Sequence, residues 1–142
     1  MTKLTGRERA YYVQTMFTRI AARYDRMNRL MTAGQDIRWR RRVVEQARLK
    51  PGARLLDIGT GTGDLAREAL RQCPQARVIA ADFTLEMMRV GQKRGQLNFS
   101  AADALHLPFC DSSFDAVVSG FLMRNVADLP KALEERRKVC GN

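Results

Sequence analysis

Apolar positions in the first part of the chain recur at helical spacing. Seven apolar residues within 13–31 are separated mostly by three or four positions, which places them on one stripe of an α-helix. Four arginines project from the other side of that helix. A second helix is predicted from about Asp36, a candidate N-cap, to Arg48. Pro51-Gly52 then ends the helical pattern.

After residue 52, short apolar runs alternate with helical patterns. The predicted strands are Arg54–Ile58, Arg77–Ala81, Leu97–Ala101 and Phe114–Gly120, and the predicted helices between and after them are Asp64–Gln72, Thr84–Arg94 and Leu129–Val139. Strands that alternate with helices pair in parallel through right-handed crossovers. The pattern therefore predicts an α/β fold with a partial parallel sheet of about four strands. We expect a basic helical segment, residues 1–50, followed by an α/β domain, residues 51–142.

Composition narrows the class of protein. The chain has 142 residues, of which 45% are hydrophobic, enough for the core of one domain. No apolar run reaches the ~20 residues needed to span a bilayer, and charges interrupt any secretory signal core. The three cysteines form no C-x-x-C pair and there is one histidine. We therefore expect a cytoplasmic protein with no metal site.

Positive charge is concentrated in the N-terminal third of the chain. Residues 1–50 contain 13 Lys and Arg but 4 Asp and Glu, whereas residues 51–142 contain 12 and 11. The net charge of +10 therefore belongs almost entirely to the first segment. Such a segment suits an anionic surface, either nucleic acid or phospholipid headgroups.

A glycine-rich turn follows the first predicted strand, in the sequence Leu-Leu-Asp-Ile-Gly-Thr-Gly-Thr-Gly-Asp at 55–64. The dinucleotide fingerprint requires Gly or Ala at position 64, where this chain has Asp64. Asp57 stands where it would repel a diphosphate. An acid beside Gly59 and Gly61 suits a cationic ligand instead. S-adenosyl-L-methionine (SAM), with a sulfonium, an ammonium and no phosphate, fits this pattern and is the predicted cofactor.

Two further acids follow the next two strands. Asp82 ends the second strand, where it can accept hydrogen bonds from both ribose hydroxyls. Asp103 follows the third strand, on the side where adenine would lie, although it also fits a turn residue. Ligands of open α/β sheets bind at the carboxyl ends of the strands. The acids therefore favour a SAM site over a dinucleotide site.

Motifs outside the glycine turn carry a more specific resemblance. They are Phe17, Tyr24, Asp25 and Asn28 in the first helix, Trp39-Arg40 in the second, and Phe114–Val126, which ends in Leu-Met-Arg-Asn-Val. With these motifs the chain resembles the ubiquinone/menaquinone biosynthesis C-methyltransferase family from about residue 13 to residue 139. The resemblance implies a Rossmann-like class I SAM-dependent methyltransferase fold. It also implies methyl transfer to a ring carbon of a demethylated quinol, either demethylmenaquinol or its ubiquinone-pathway equivalent.

The predicted cofactor site combines the turn with this resemblance. The turn contributes Asp57, Gly59 and Gly61, and the resemblance places Thr62, Asp82, Asp103, Ala104 and Gly120 at SAM-contacting positions. Arg124, after the fourth strand, is the candidate catalytic residue. A guanidinium favours the phenolate of the quinol and so makes the ring carbon electron-rich. A surface arginine is the alternative interpretation of Arg124.

The chain departs from the family pattern at two places. Leu122 stands where the family usually has glycine, and Met123 where it has another aliphatic residue, so the quinol site is expected to be crowded. The family usually continues into three further strands, whereas this sequence stops at Asn142. We therefore expect an incomplete substrate wall and a free edge at the fourth strand, which a second copy of the chain could cover.

The expected partners follow from the quinol. The basic first helix either docks peripherally on the anionic inner face of the membrane, where a lipid quinol is found, or forms a solvated surface. Few aromatic residues accompany its charges, and no Asn/Asp-Pro-Pro-aromatic element follows the fourth strand, so nucleic acid is not an expected partner. Two alternatives stay open: a SAM methyltransferase for another small molecule, and a non-catalytic SAM-binding subunit.

Overall fold

The computed structural model describes residues 6–8, 11–12, 15–16, 35–119 and 129–141. Its helices are α1 (Gln35–Ala47), α2 (Asp64–Gln72), α3 (Leu85–Arg94) and α4 (Leu129–Val139), and its strands are β1 (Arg54–Ile58), β2 (Arg77–Asp82), β3 (Asn98–Ala101) and β4 (Ala116–Ser119). Most of the predicted first helix, together with Gly120, Leu122, Met123 and Arg124, lies outside the described residues. The bounds predicted for β1, α2 and α4 are confirmed.

The four strands form one parallel sheet in the order β3-β2-β1-β4. The predicted parallel α/β architecture is therefore confirmed. β1 lies in the middle, and Leu56 pairs with Ile79 on one side and Val117 on the other. Leu55, Leu56 and Ile58 are all buried, as expected where helices or loops cover both faces of a sheet.

Each face of the sheet has its own apolar core. The first core joins β1, β2 and β4 to α1 and α2, and its buried members include Val44, Leu55, Leu65, Ala66, Ala69 and Val78. The second core joins the opposite face to the segment 104–114 and the end of α4, and its buried members include Leu56, Ile58, Leu107, Phe114, Val117 and Val139. Two covered faces leave the sheet edges and loop ends as the accessible surfaces.

Several element ends differ from prediction. The prediction of Asp36 as an N-cap is wrong, because α1 begins at Gln35 and places Asp36 inside the helix. α1 ends before Arg48, whose φ of +49° does not continue a helix. β2 continues to Asp82 because that residue pairs with Ala101 of β3. α3 begins after Thr84, whose backbone is extended.

The predicted strands β3 and β4 also begin too early in the sequence. β3 starts at Asn98 instead of Leu97, whose side chain is buried in the first core. β4 starts at Ala116 because Phe114 forms a separate parallel bridge with Cys140. The Phe114 N–H donates to the Val139 carbonyl (3.0 Å), and the Gly141 N–H donates to the Phe114 carbonyl (2.7 Å). The segment after α4 thus lies beside the beginning of β4.

Arg136 of α4 covers part of the same sheet edge. Its Nη2 donates to the Val117 carbonyl at 2.7 Å, and Val117 is 7% exposed. We expect Arg136→Ala to lower the free energy of unfolding by about 1–3 kcal/mol, because a buried carbonyl loses its partner. Urea unfolding measures this, with Arg137→Ala, an exposed neighbour, as the control. Equal losses in the two variants would contradict the role of Arg136 at the edge.

Candidate functional site

The carboxyl ends of β1 and β2 bring the glycine turn next to Asp82. β1 and β2 are paired up to Ile58 and Ala81, so residues 59–63 begin beside the end of β2. The N–H groups of Gly59 and Thr60 both donate to the Ala81 carbonyl, at 2.8 and 3.0 Å. The turn is therefore held against the second strand by backbone hydrogen bonds.

Glycine is required in this turn for conformation and for space. Gly61 has a φ of +60° and Gly63 a φ of +94°, in the left-handed region that side chains disfavour. A Cβ on Gly63 would lie 2.5 Å from Cδ1 of Leu97, closer than two carbon atoms can approach. A Cβ on Gly61 would meet only the Met87 Cε, at 3.5 Å. The turn is thus tightly packed at Gly63 and more open at Gly61.

Asp82 connects the turn to the start of α3. Its Oδ2 accepts a hydrogen bond from the Gly61 N–H at 2.8 Å, and its Oδ1 accepts one from the Thr84 N–H at 2.8 Å. Burial raises the pKa of Asp82, and these backbone hydrogen bonds oppose that rise. Each carboxylate oxygen has a second lone pair. Asp82 can therefore hold the turn and still accept two hydroxyl hydrogens from a ligand.

Asp57 lies beneath the turn and is 1% exposed. Its Oδ2 accepts a hydrogen bond from the Thr60 hydroxyl at 2.7 Å. Its Oδ1 is buried with no hydrogen-bond partner among the described residues. Desolvation raises the pKa of Asp57 to about 7, the Thr60 hydrogen bond opposes the rise, and the charge of Asp82 adds to it. A carboxyl with this pKa changes its charge near neutral pH. A cationic ligand bound nearby would favour its ionised form.

Asp103 and Ala104 follow β3 at the same edge. The Ala102 N–H donates to the Asp82 carbonyl at 2.9 Å, which ties the end of β3 to β2. Asp103 Oδ1 accepts a hydrogen bond from the Leu105 N–H at 2.9 Å. This contact is the one expected of a turn residue, the alternative role predicted for Asp103. Its side chain remains 45% exposed, whereas Ala104 is buried. Asp103 is thus held in place and is accessible to a ligand.

Thr62 faces the protein more than the solvent. It is 3% exposed, and its hydroxyl accepts a hydrogen bond from Nη1 of Arg94 at 3.4 Å. Seven of the predicted cofactor residues are described and lie at or just after the carboxyl ends of β1, β2 and β3; they are Asp57, Gly59, Gly61, Thr62, Asp82, Asp103 and Ala104. The predicted contacts of Gly120 and Arg124 lie outside the described residues. The assignment of these residues to a cofactor stays a prediction.

Phe83 is a site candidate that sequence reasoning missed. Its ring is 72% exposed although it directly follows Asp82. Leu85, two residues further on, is 44% exposed. The signal in the sequence was an aromatic residue directly after the acid that ends β2. At that position it lies beyond the strand and is therefore not buried in the core. The exposed ring gives this edge a flat apolar surface on which a purine could stack.

Comparison with known sequences agrees with this geometry. The sequence profile of the ubiE/COQ5 methyltransferase family matches residues 2–141. Demethylmenaquinone methyltransferase of Roseiflexus castenholzii is 47% identical over 136 residues, which are 94% of this chain and 57% of that protein. The protein of the same name from Thermus thermophilus is 46% identical over 131 residues, 89% of this chain and 60% of that protein. The chain thus spans less than two thirds of the length of these relatives.

Solved structures agree with the fold. A Methanococcus maripaludis protein described as a SAM-dependent methyltransferase superposes with a TM-score of 0.75 at 18% identity, over 88% of this chain and 59% of that one, and supports the fold alone. A SAM-dependent methyltransferase of Aquifex aeolicus superposes with a TM-score of 0.61 at 25% identity, over 71% of this chain and 57% of that one. The fold is therefore the Rossmann-like fold of class I SAM methyltransferases. With a matching profile over nearly all of its residues, the chain belongs to the ubiE/COQ5 methyltransferase family.

Proposed function

We propose that this chain binds SAM at the carboxyl edge of its sheet and takes part in methyl transfer to a ring carbon of a demethylated quinol. One observation carries the proposal. The Asp82 carboxylate accepts a hydrogen bond from the Gly61 N–H, and Phe83, the next residue in the chain, is exposed. A nucleoside at this edge would therefore meet a diol acceptor and a stacking surface side by side.

The charges around the turn fit SAM better than a dinucleotide. Asp64 occupies the first turn of α2, where the helix dipole would otherwise attract a phosphate. Its carboxylate oxygens lie 3.5 Å from an Arg40 nitrogen and 3.8 Å from an Arg67 nitrogen, so the acid is held at this position. Asp57 and Asp82 add two further carboxyls near the turn. Because the two guanidiniums offset the charge of Asp64, the preference for a ligand with cationic groups rests on Asp57 and Asp82.

Each residue of the proposed site has a separate task. When bound, SAM would supply an electrophilic methyl group on its sulfonium. Asp82 would orient the ribose, and Phe83 would cover one face of the adenine. Asp57 would place a titratable negative charge beneath the cationic part of the ligand. Fixing the donor in this way lowers the entropic part of the barrier to transfer.

The acceptor side of the proposal rests on the relatives and on residues outside the described ranges. The relatives from Roseiflexus castenholzii and Thermus thermophilus are named demethylmenaquinone methyltransferases. In this proposal Arg124 would lie near the quinol hydroxyl and favour its phenolate. Leu122, which stands where the family usually has glycine, would crowd the quinol. The same SAM site without turnover would favour the alternative of a SAM-binding subunit.

Membrane contact is a further part of the proposal. None of the described helices is both long enough and apolar enough to cross a bilayer. Three arginines of α1, Arg38, Arg41 and Arg42, are exposed. Such charges attract anionic headgroups at about 1 kcal/mol per residue near the surface. Peripheral docking through this segment would bring the site to a quinol that resides in the bilayer.

Turnover tests the proposal. The chain is incubated with SAM that carries a tritiated methyl group and with a short-tailed demethylmenaquinol, and the quinol is then extracted. We expect tritium in the quinol fraction, and at least tenfold less with Asp82→Ala at a SAM concentration below the wild-type Kd. Binding of SAM without any transfer would contradict the proposed methyl transfer and support the alternative of a SAM-binding subunit.

A further inference from the structure

The side chain of Arg67 joins two segments that are distant in sequence. Its Nη1 donates to the Thr62 carbonyl of the glycine turn at 2.7 Å. Its Nη2 donates to the carbonyls of Gly91 and Gly95, at 2.5 and 3.2 Å, where α3 ends. An oxygen of Asp64 lies 3.8 Å from Nη1. One guanidinium, 25% exposed, thus connects the turn to the C-terminal end of α3.

The carbonyls that Arg67 binds have few alternative hydrogen-bond donors. The last carbonyls of a helix lack partners within that helix, which applies to Gly91 and Gly95. Thr62 is 3% exposed, so its carbonyl would have little access to water if Arg67 were removed. A buried carbonyl that loses its partner is costly. Arg67 therefore stabilises this arrangement of the turn relative to more open ones.

The turn and α3 are also in direct backbone contact at this place. A Cβ on Gly91 would lie 2.4 Å from the Thr62 carbonyl oxygen and 2.7 Å from Cζ of Phe99. The helix backbone therefore packs on the turn with no side chain between them. A small displacement of α3 at Gly91 would therefore displace Thr62.

We infer that Arg67 is a positioning residue that fixes the glycine turn for the amino-acid part of SAM. The inference rests on the proposed SAM site, and Arg67 acts in it through the backbone of Thr62 and through α3. Asp82, on the nucleoside side, is also held by the Thr84 N–H, at the opposite end of α3 from the carbonyls that Arg67 binds. Loss of Arg67 should therefore affect the two halves of the ligand unequally.

The first test needs no ligand. Amide hydrogen exchange is compared among the wild type, Arg67→Ala and Arg67→Lys. The lysine variant keeps the charge and the aliphatic stem but cannot reach carbonyls on both segments. Arg71→Ala is the matched control, because Arg71 lies one turn further along α2 and its hydrogen bonds go to Glu68. We expect about tenfold faster exchange in residues 59–67 for both Arg67 variants, as for one lost charge-assisted hydrogen bond, with β1 and β2 unchanged.

The second test separates positioning from general loosening of the fold. Calorimetry compares S-adenosylhomocysteine, which has the amino-acid part, with 5′-methylthioadenosine, which lacks it. We expect both Arg67 variants to bind the first ligand about tenfold more weakly and the second as the wild type does, a difference equivalent to about 1.4 kcal/mol. Arg71→Ala should bind both ligands normally.

Two results would overturn the inference. One is unchanged exchange in residues 59–67 in both Arg67 variants. The other is equal weakening of the two ligands, or faster exchange across the whole sheet, since either would mean that Arg67 only supports the fold. Failure of the wild type to bind either ligand would reject the proposed SAM site instead. In that case the exchange experiment still decides whether Arg67 holds the turn.

Discussion

Asp57→Asn is expected to gain stability relative to the wild type as the pH rises. The variant keeps the volume of the side chain and an acceptor for the Thr60 hydroxyl, but it cannot ionise. In the folded wild type the pKa of Asp57 is about 7, against 3.8 for an ordinary Asp. This difference corresponds to about 4 kcal/mol at 1.36 kcal/mol per pKa unit. It is the cost of ionising a buried carboxyl.

The pH range follows from the sign of this shift. Between the two pKa values the unfolded chain has lost its Asp57 proton and the folded chain retains it, so the stability of the wild type falls as pH rises. The free energy of unfolding of the variant minus that of the wild type should therefore rise by about 4 kcal/mol between about pH 4 and about pH 7, and level off at higher pH. Urea unfolding at a series of pH values measures it.

Asp115→Asn is the control for this experiment. Asp115 is exposed, and hydrogen bonds from Arg54 lower its pKa below 3.8. Its contribution to stability is present above pH 3.8 and is lost as pH falls below that value. For Asp115→Asn, the free energy of unfolding of the variant minus that of the wild type should therefore stay constant between about pH 4 and about pH 7. For Asp57→Asn the same difference rises over this range. A flat difference for Asp57→Asn would show that Asp57 is ionised without cost and would contradict its described burial.

Asp82→Ala is expected to weaken SAM binding at least tenfold and by about a hundredfold if both ribose hydroxyls lose a charged acceptor, since each such hydrogen bond contributes about 1.5–3 kcal/mol. The change also removes the acceptor of the Gly61 and Thr84 N–H groups. Both consequences act in the same direction. Isothermal titration calorimetry with SAM gives the affinity directly.

Glu86→Ala is a suitable control for Asp82→Ala. Glu86 lies in the first turn of α3 and accepts a hydrogen bond from Arg89 on the surface of the same helix. Removing it changes the local charge by the same amount without touching the turn. We expect wild-type affinity for SAM in this variant. Equal affinity of Asp82→Ala and the wild type would refute the assignment of Asp82 to the ribose.

Local patterns in the sequence were sufficient to predict most of the architecture. β1 is a short run with three large apolar residues that follows Pro51-Gly52 and precedes the glycine turn, and α2 lies between that turn and Pro74, so both ends of each element have a local signal. The ends of β2 and β4 depend on partners distant in sequence. Asp82 joins β2 because it pairs with Ala101, and Phe114 is separated from β4 because it pairs with Cys140.

The sequence was sufficient to predict the acids and glycines of the candidate site. It was not sufficient to predict the residues that hold them in place. In the sequence, Arg67 resembles any arginine three positions after an acid on a helix surface. Its carbonyl partners Gly91 and Gly95 lie 24 and 28 residues away, so no local spacing relates them to it. The burial of Asp57 was equally hidden, because a strand-end carboxylate is as often solvated as buried. Both depend on tertiary packing, since α3 packs on the turn at Gly91 and the turn lies over Asp57 through Thr60.

A crystal structure of the chain grown with S-adenosylhomocysteine would show whether this edge of the sheet is the SAM site. We expect density at the carboxyl edge of the sheet, with both ribose hydroxyls within hydrogen-bond distance of Asp82 and the adenine against Phe83. The amino-acid end of the ligand should lie along the turn at Gly61. An edge without ligand at saturating concentration, or a dinucleotide bound there with its pyrophosphate on the turn, would contradict the account.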